Sequence, residues 1–276
     1  MSSAPGTERP GIEPSLNAAP ARLETITAYV YTHNEERNIA DCIASVKWCD
    51  EVLVVDDDSN DRTAEIARSL GARVVQHRFE GFREQSQFAL DQVRSDWALS
   101  LDADERISPE LRHAIERMLA APEASVSGYR LGRVTRHFGV LFRHGTLFKG
   151  ARRLARTGRC RWVGFNPHCT LAIDGVVRDL PGDFLHLRDR SLRSQAEVYN
   201  RYSTLKAEEM YAAGRRAGAS SIVLRPIGRF LRSFVVKQGF RHGTAGLVAA
   251  LEEAVYDFYK YAKLWEKSRL AGSGIE

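Results

Sequence analysis

The chain has 276 residues, 43% of them hydrophobic and 27% charged, with a formal net charge of +5 and a pI near 9.1. That supports one large domain, or one domain with an appendage, around a real core, and excludes a low-complexity or strongly disordered chain. The basic balance admits nucleic acid, anionic lipid or phosphorylated ligands and chooses among none of them.

Residues 1–22 are rich in Pro, Ala, Ser and Gly and lack the apolar stretch of a signal peptide, so they read as a flexible leader. ITAYVYT (26–32) is a strand candidate. Glu35 to Val46 fits a helix with Ile39, Ile43 and Val46 on one side. EVLVVDD (51–57) reads as a second strand, residues 63–70 as a short helix, ARVVQH (72–77) as a third strand and residues 83–93 as a helix. WALSL (97–101) is a fourth strand. Pro109 to Leu119 is a helix with Ser108 as N-cap and Pro109 at N1. Short apolar runs alternating with helical patterns predict a parallel sheet covered by helices.

Residues 124–173 hold ten Arg or Lys and no Asp or Glu. They read as irregular strands and loops completing the sheet. Helical patterning returns over 191–212. Residues 214–250 are again basic without acids, and 247–265 form a helix with a large apolar face. No run is long enough to span a bilayer. Cys42, Cys49, Cys160 and Cys169 lack the tight paired spacing of a zinc site and read as reduced thiols.

In such sheets ligands collect at the carboxyl ends of the strands. The sequences there are HNEERN, DDSND and DADE. Asp102 and Asp104, at i and i+2 of an extended segment, project the same way and can share a divalent cation, Mg²⁺ or Mn²⁺, with phosphate oxygens. An isolated pair of this kind is more often a solvated acidic turn. The second acidic cluster, Asp56 to Asp58, argues for a site. A strand-end acid can accept from a ribose or a base, while Asp61 is equally a helix start. Thr32, His33, Asn34 and Glu35 can hold a base or pyrophosphate, although Glu35 also suits a helix first turn. Arg152, Arg153 and Arg156 can meet a diphosphate, or can be a solvated basic face. There is no GxGxxG and no GxxxxGK[ST]. Phe138, Phe142, Phe148 and Trp162 match no RNA-binding signature, so nucleic acid is not an expected partner.

YVYTHNEERNI, EVLVVDDDSNDRT and WALSLDADERISPEL together resemble inverting family-two glycosyltransferases. More narrowly they resemble the lipopolysaccharide core transferases that add glucose or heptose. The resemblance covers residues 24–265, including NRYSTLKAEEMYAAGRRAG, LRPIGRFLRSFVVKQGF and FYKYAKLWE. It implies an α/β GT-A fold, a Rossmann-like, mostly parallel sheet flanked by helices, with a catalytic domain over 23–190 and a helical, basic extension over 191–276. It implies a nucleotide-sugar donor, a saccharide or lipid-linked acceptor and a divalent metal. The reduced thiols are those of a cytoplasmic protein, and a peripheral place on the inner face of the plasma membrane is the other expectation. Glu35 matches the family's nucleotide-side acid. Asp56 and Asp57 are equal choices for its uridine-side acid. Asp102 and Asp104 match its metal and diphosphate motif, Arg153 an arginine near it, and His186 an acceptor-side histidine.

Two departures stand out. Relatives have Trp preceded by Asp where this chain has Lys149 and Gly150. Relatives have His–Glu where this chain reads His168–Cys169. That Glu is the natural candidate for the base. Either another acid such as Asp174, Asp179 or Asp183 serves, with Asp183 preferred, or the alignment is shifted here, or the activity is altered or lost. The basic and aromatic C-terminal segments suit contact with an anionic leaflet. Packing of residues 247–265 on the catalytic domain explains that helix equally well. A sugar nucleotidyltransferase would carry a Gly-rich loop after the first strand, which HNEERN lacks. A noncatalytic, transferase-derived saccharide- or lipid-binding protein is the other reading left open by the two departures.

Overall fold

The computed structural model describes residues 22–147, 150–165, 168–188 and 191–273. Residues 1–21 of the expected leader, Phe148 and Lys149 lie outside the described residues, as does the side chain of His168.

The N-terminal half is β1 (Ile26–Thr32), α1 (Ile39–Val46), β2 (Glu51–Asp56), α2 (Thr63–Ser69), β3 (Arg73–Gln76), α3 (Phe82–Asp91), β4 (Trp97–Asp102), β5 (Glu105–Ile107) and α4 (Pro109–Ala120). The acid-free region supplies β6 (Val126–His137), β7 (Val140–Phe142), β8 (Ala151–Arg156), β9 (Cys160–Phe165) and β10 (His168–Ile173). β11 (Val176–Leu187) follows, then α5 (Leu192–Ala212), α6 (Ala219–Leu231) and α7 (Gly243–Ser273). A π turn over Arg232–Val236 and a 3-10 turn over Gly239–His242 join the last two helices.

The main sheet runs β3-β2-β1-β4-β8-β6-β11-β5, with β7 added beside β6. β3, β2, β1 and β4 are parallel, as the alternating apolar runs predict. β8 then enters antiparallel to both β4 and β6, and β6 pairs parallel with β11. The architecture is thus a mixed α/β sheet flanked by helices. Residues 124–173 are more regular than expected: β6 alone is a 12-residue strand, and β9 and β10 form a separate antiparallel pair.

Strand periodicity divides the core. On β1, Ile26, Ala28 and Val30 face α1 and α4, packing with Ile39, Ile43, Leu111 and Ile115. The alternate residue Tyr29 faces α3 and β9–β10, among Leu53, Leu90, Trp162 and Leu171. Trp162 donates from Nε1 to the Tyr29 hydroxyl at 3.0 Å, which satisfies a buried indole. Ser108 caps α4, its Oγ accepting from Leu111 N at 3.2 Å with Pro109 at N1.

One expected helix starts late. Residues 35–38 form a turn, and α1 begins at Ile39. The amides of Glu35 and Glu36 donate to Thr63 Oγ1 (2.8 Å) and Asp61 Oδ2 (3.2 Å) instead of lying free at a helix end. α7 packs along α5 and α6, burying Tyr261 and Leu264 with Ala207 and Met210 of α5, while its Ala249 packs on Phe142 and Leu147. Its larger apolar residues Leu251, Val255 and Phe258 stay exposed.

Candidate active site

Parallel pairing brings the three acidic sequences to one edge. Thr32 is in register with Asp56, and Tyr31 with Asp102. The first two loops are laced together. Asn34 takes a left-handed φ of 54°, which its short polar side chain tolerates, and its Oδ1 accepts from Asn60 N at 2.9 Å. Asn34 N donates to Ser59 Oγ at 2.9 Å. Asp61 accepts from Thr63 N at 2.9 Å, so it starts α2 and also ties the two loops through Glu36.

Asp56 and Asp57 are not equivalent. Asp56 is fully buried, accepting from Ser59 N at 3.1 Å and Ser59 Oγ at 2.5 Å. It shapes the turn. Asp57 opens into the cavity described below, with Oδ1 accepting from Phe79 N at 2.8 Å. His33 Nδ1 lies 2.5 Å from the Asp57 carbonyl oxygen. Thr32 and Glu35 line the same cavity, and Thr32 Oγ1 is buried without a hydrogen-bond partner among the described residues. Glu35 Oε2 accepts from Asn38 Nδ2 at 2.7 Å.

At the end of β4 the chain turns at Ala103–Asp104, so the two aspartates face one cavity but hold different partners. Arg153, from β8, donates to Asp102 Oδ2 at 3.1 Å and to Glu105 Oε1 at 3.0 Å. Glu105 Oε2 accepts the Asp102 amide at 2.9 Å. Glu105 is therefore a buried structural acid under the loop. Burial raises its carboxyl, to about 7, against the pull of Arg153. Burial also opposes ionisation of Asp102, but the Arg153 charge and hydrogen bond prevail and hold it below its ordinary range. Arg152 is exposed and Arg156 stacks over Trp97 at 4.6 Å, so of the three expected arginines only Arg153 reaches this cluster. Parity explains it: Arg153 lies at odd offsets from both neighbours on one strand.

Asp104 Oδ2 lies 3.4 Å from His186 Nε2 on β11. Burial pushes the imidazole down, but the Asp104 hydrogen bond and charge outweigh it and raise its pKa. Its Nδ1 is buried and unpaired among the described residues. Asp183 is three residues earlier on the same strand and does not line the cavity. Its carboxylate lies over Gly132, where any Cβ would overlap it, and 3.8 Å from Arg143. Asp174 and Asp179 are exposed and pair with Arg159 and Arg130. Cys169 bonds to Ser86, and burial pushes its thiol up. Among the described residues no group of three or more His, Cys, Asp and Glu is arranged to hold a metal by itself.

The cavity has a volume of about 830 Å³. Its other wall comes from the C-terminal helices: Tyr199 and Tyr202 of α5, Arg229 of α6, and Glu253 and Tyr256 of α7. Sequence reasoning missed these residues, together with Arg133 and Arg188. Arg133 stands in the basic stretch 124–173, so its charge was visible but not its direction, whereas Arg188 lies outside both basic stretches. Arg188 donates to Tyr199 Oη at 2.6 Å, and Arg229 to Asp257 at 3.3 Å. Glu253 bonds to Thr146, its Oε2 is unpaired among the described residues, and burial raises its pKa.

Residues 27–183 match the model of "Glycosyl transferase family 2". The chain is 30% identical over 253 residues to the lipopolysaccharide core biosynthesis glycosyltransferase LpsC of Rhizobium meliloti, covering 89% of this chain and 93% of that one. It is also 30% identical over 263 residues to an uncharacterized glycosyltransferase of Rickettsia prowazekii, covering 89% and 88%. The mannosyltransferase PcManGT of Pyrobaculum calidifontis, solved in complex with GDP-Man and Mn²⁺, shares the fold at a TM-score of 0.53 and 15% identity, over 92% of this chain and 91% of that structure. The matched segment spans all three acidic strand ends, and the chain belongs to glycosyltransferase family 2.

Proposed function

We propose that the protein transfers a sugar, with inversion, from a nucleotide-sugar donor to a saccharide or lipid-linked saccharide acceptor in cell-envelope glycan synthesis. The observation that carries this is the convergence of Asp57, Asp102 and Asp104 on one large cavity whose far wall is arginine-rich and aromatic. The relationship to LpsC supports the envelope pathway and an anionic or lipid-borne acceptor.

In this reading Thr32, Glu35 and Asp57, which line the cavity, hold the nucleoside, while Asn34, which does not line it, and Asp56 keep their loops in shape. Asp104 and Asp102 present hard oxygen donors, which suits Mg²⁺ or Mn²⁺. Arg153 already pairs with Asp102, so Asp104, 3.4 Å from His186, is the carboxylate that would hold the ion. The metal supplies charge neutralisation for the departing diphosphate. Arg153 fixes the Asp102 side chain and adds positive charge at the same edge.

The base must be a carboxylate facing the acceptor. Glu253 fits the role: it lines the cavity, stands apart from the Asp102–Arg153 cluster, and has the raised proton affinity suited to a base. Asp183, preferred from sequence, occupies the opposite face of β11. Titration calorimetry with a panel of nucleotide sugars, with and without Mn²⁺, tests the reading. Metal-dependent binding of one donor supports it. Absence of binding by folded protein across the panel would favour a noncatalytic relative.

A further inference from the structure

Helix α6 and the π turn after it present apolar side chains to solvent. Val223, Leu224, Ile227, Leu231, Val235 and Val236 are all exposed, Leu224 at 64% and Val236 at 75%. The spacing 223, 224, 227, 231 is a single helical stripe, and no residue of α6 is buried. Apolar residues scattered singly on a surface need no explanation, but a continuous stripe marks a contact surface. Arg225 and Arg232, seven residues apart, run along one flank of it. Arg215 and Arg216 precede it in the chain, and Lys237 and Arg241 follow. No Asp or Glu occurs between Met210 and Leu251. No helix of the described residues is long and apolar enough to cross a membrane.

We propose that the outer face of α6 and the π turn is a docking surface for an anionic lipid bilayer, lying in the interface plane. An apolar stripe beside a one-signed basic flank is the chemistry that such a surface recognises. The Arg232 stem extends the apolar contact while its guanidinium reaches the headgroups, and Arg225, 5.7 Å over the Tyr261 ring, adds positive charge beside it. Charge separates this occupant from a second copy of the chain. A twofold contact through the stripe would bring arginines against arginines, with no Asp or Glu in the segment itself to offset them. α6 also sends Arg229 into the cavity. A bilayer on its outer face therefore lies about one helix diameter, ~10 Å, from the cavity wall. An amphiphilic acceptor can then enter while its tail stays in the leaflet.

Flotation of the full chain tests this, using vesicles of phosphatidylcholine alone and of phosphatidylcholine with phosphatidylglycerol. The wild type should float with the anionic vesicles, not the neutral ones, and should be released by high salt. The doubly substituted Leu224→Ser/Val236→Ser and Arg232→Gln/Lys237→Gln proteins should each bind at least tenfold more weakly. Circular dichroism melting should stay unchanged, since the apolar side chains replaced are exposed. No flotation by the wild type, or undiminished binding by both variants, overturns the proposal. So does a dimer in sedimentation that Leu224→Ser/Val236→Ser dissociates, because a second copy would then cover this face. Neither readout involves sugar transfer, so the docking surface and the transferase reading fail separately.

Discussion

The Arg153 guanidinium lies 3.1 Å from Asp102 Oδ2, and it is this contact that fixes the loop at the end of β4 before any ligand arrives. The same Nη2 reaches buried Glu105 at 3.0 Å. One cation thus neutralises two carboxylates that would otherwise repel each other beneath the cavity floor. Replacing Arg153 with Met should cost about 3–5 kcal/mol in urea unfolding, the usual result of leaving a buried charge unpaired. Arg153→Lys should recover only part, because a single ammonium cannot reproduce the fork. Glu105 has a folded pKa raised above its unfolded value, so its contribution is full below the unfolded value and is lost as pH rises through about 7. The Arg153→Met penalty should accordingly shrink as the solution is acidified from above that value to below it.

His186 reports on its partner. Its pKa is raised from 6.5, with the Asp104 bond and charge overcoming burial. Its pairing therefore stabilises the fold fully below the unfolded value, and that stabilisation fades as pH rises through the folded one. Imidazole titration by NMR should show the pKa falling in Asp104→Asn. Adding Mg²⁺ to the wild type should lower it as well, since a cation on Asp104 opposes a second positive charge. A His186 pKa indifferent to Mg²⁺ would remove the ion from this carboxylate.

Asp56 and Asp57 should separate stability from binding. Asp56→Ala leaves Ser59 N and Oγ without their acceptor in a buried turn. The expected loss is about 1–3 kcal/mol of stability. Asp57→Ala should shift the unfolding midpoint less and weaken nucleotide binding at least tenfold, read by calorimetry on both variants. Reversal of the two effects would exchange their roles.

Three substitutions sort the acids proposed for proton abstraction and test Cys169, which stands where relatives carry the Glu. Glu253→Gln should lower kcat by about 10²-fold or more, the ordinary contribution of a general base. Asp183→Asn should leave kcat near the wild-type value, and Cys169→Ser should do the same, because burial keeps that thiol protonated. A large loss in Asp183→Asn with Glu253→Gln unaffected would restore the reading from sequence.

The half of the fold that could be read from sequence is the half built from local signals. β1, β2 and β4 are continuous apolar runs, each ending in polar residues, so both the strands and their common edge are written in the order of the residues. Ser108 and Pro109 likewise announce α4. The other half depends on direction. Nothing in the spacing of Arg152, Arg153 and Arg156 tells which one faces Asp102 until β8 is placed antiparallel to β4. Asp183 and His186 lie an odd number of residues apart on β11, so a strand places them on opposite faces. Glu253 and Arg229 reach the cavity only because α5, α6 and α7 fold back over it. That return is a tertiary event with no local mark.

The most direct test of the central claim is the rate of sugar transfer from the preferred donor by Asp102→Asn and Asp104→Asn, each checked for an unchanged melting curve. The account predicts that Asp104→Asn loses at least about 10²-fold in kcat, as loss of transition-state charge stabilisation requires, and that added Mn²⁺ does not restore it. Asp102→Asn should also be impaired. Transfer at the wild-type rate in both variants would contradict a metal–diphosphate site at the end of β4.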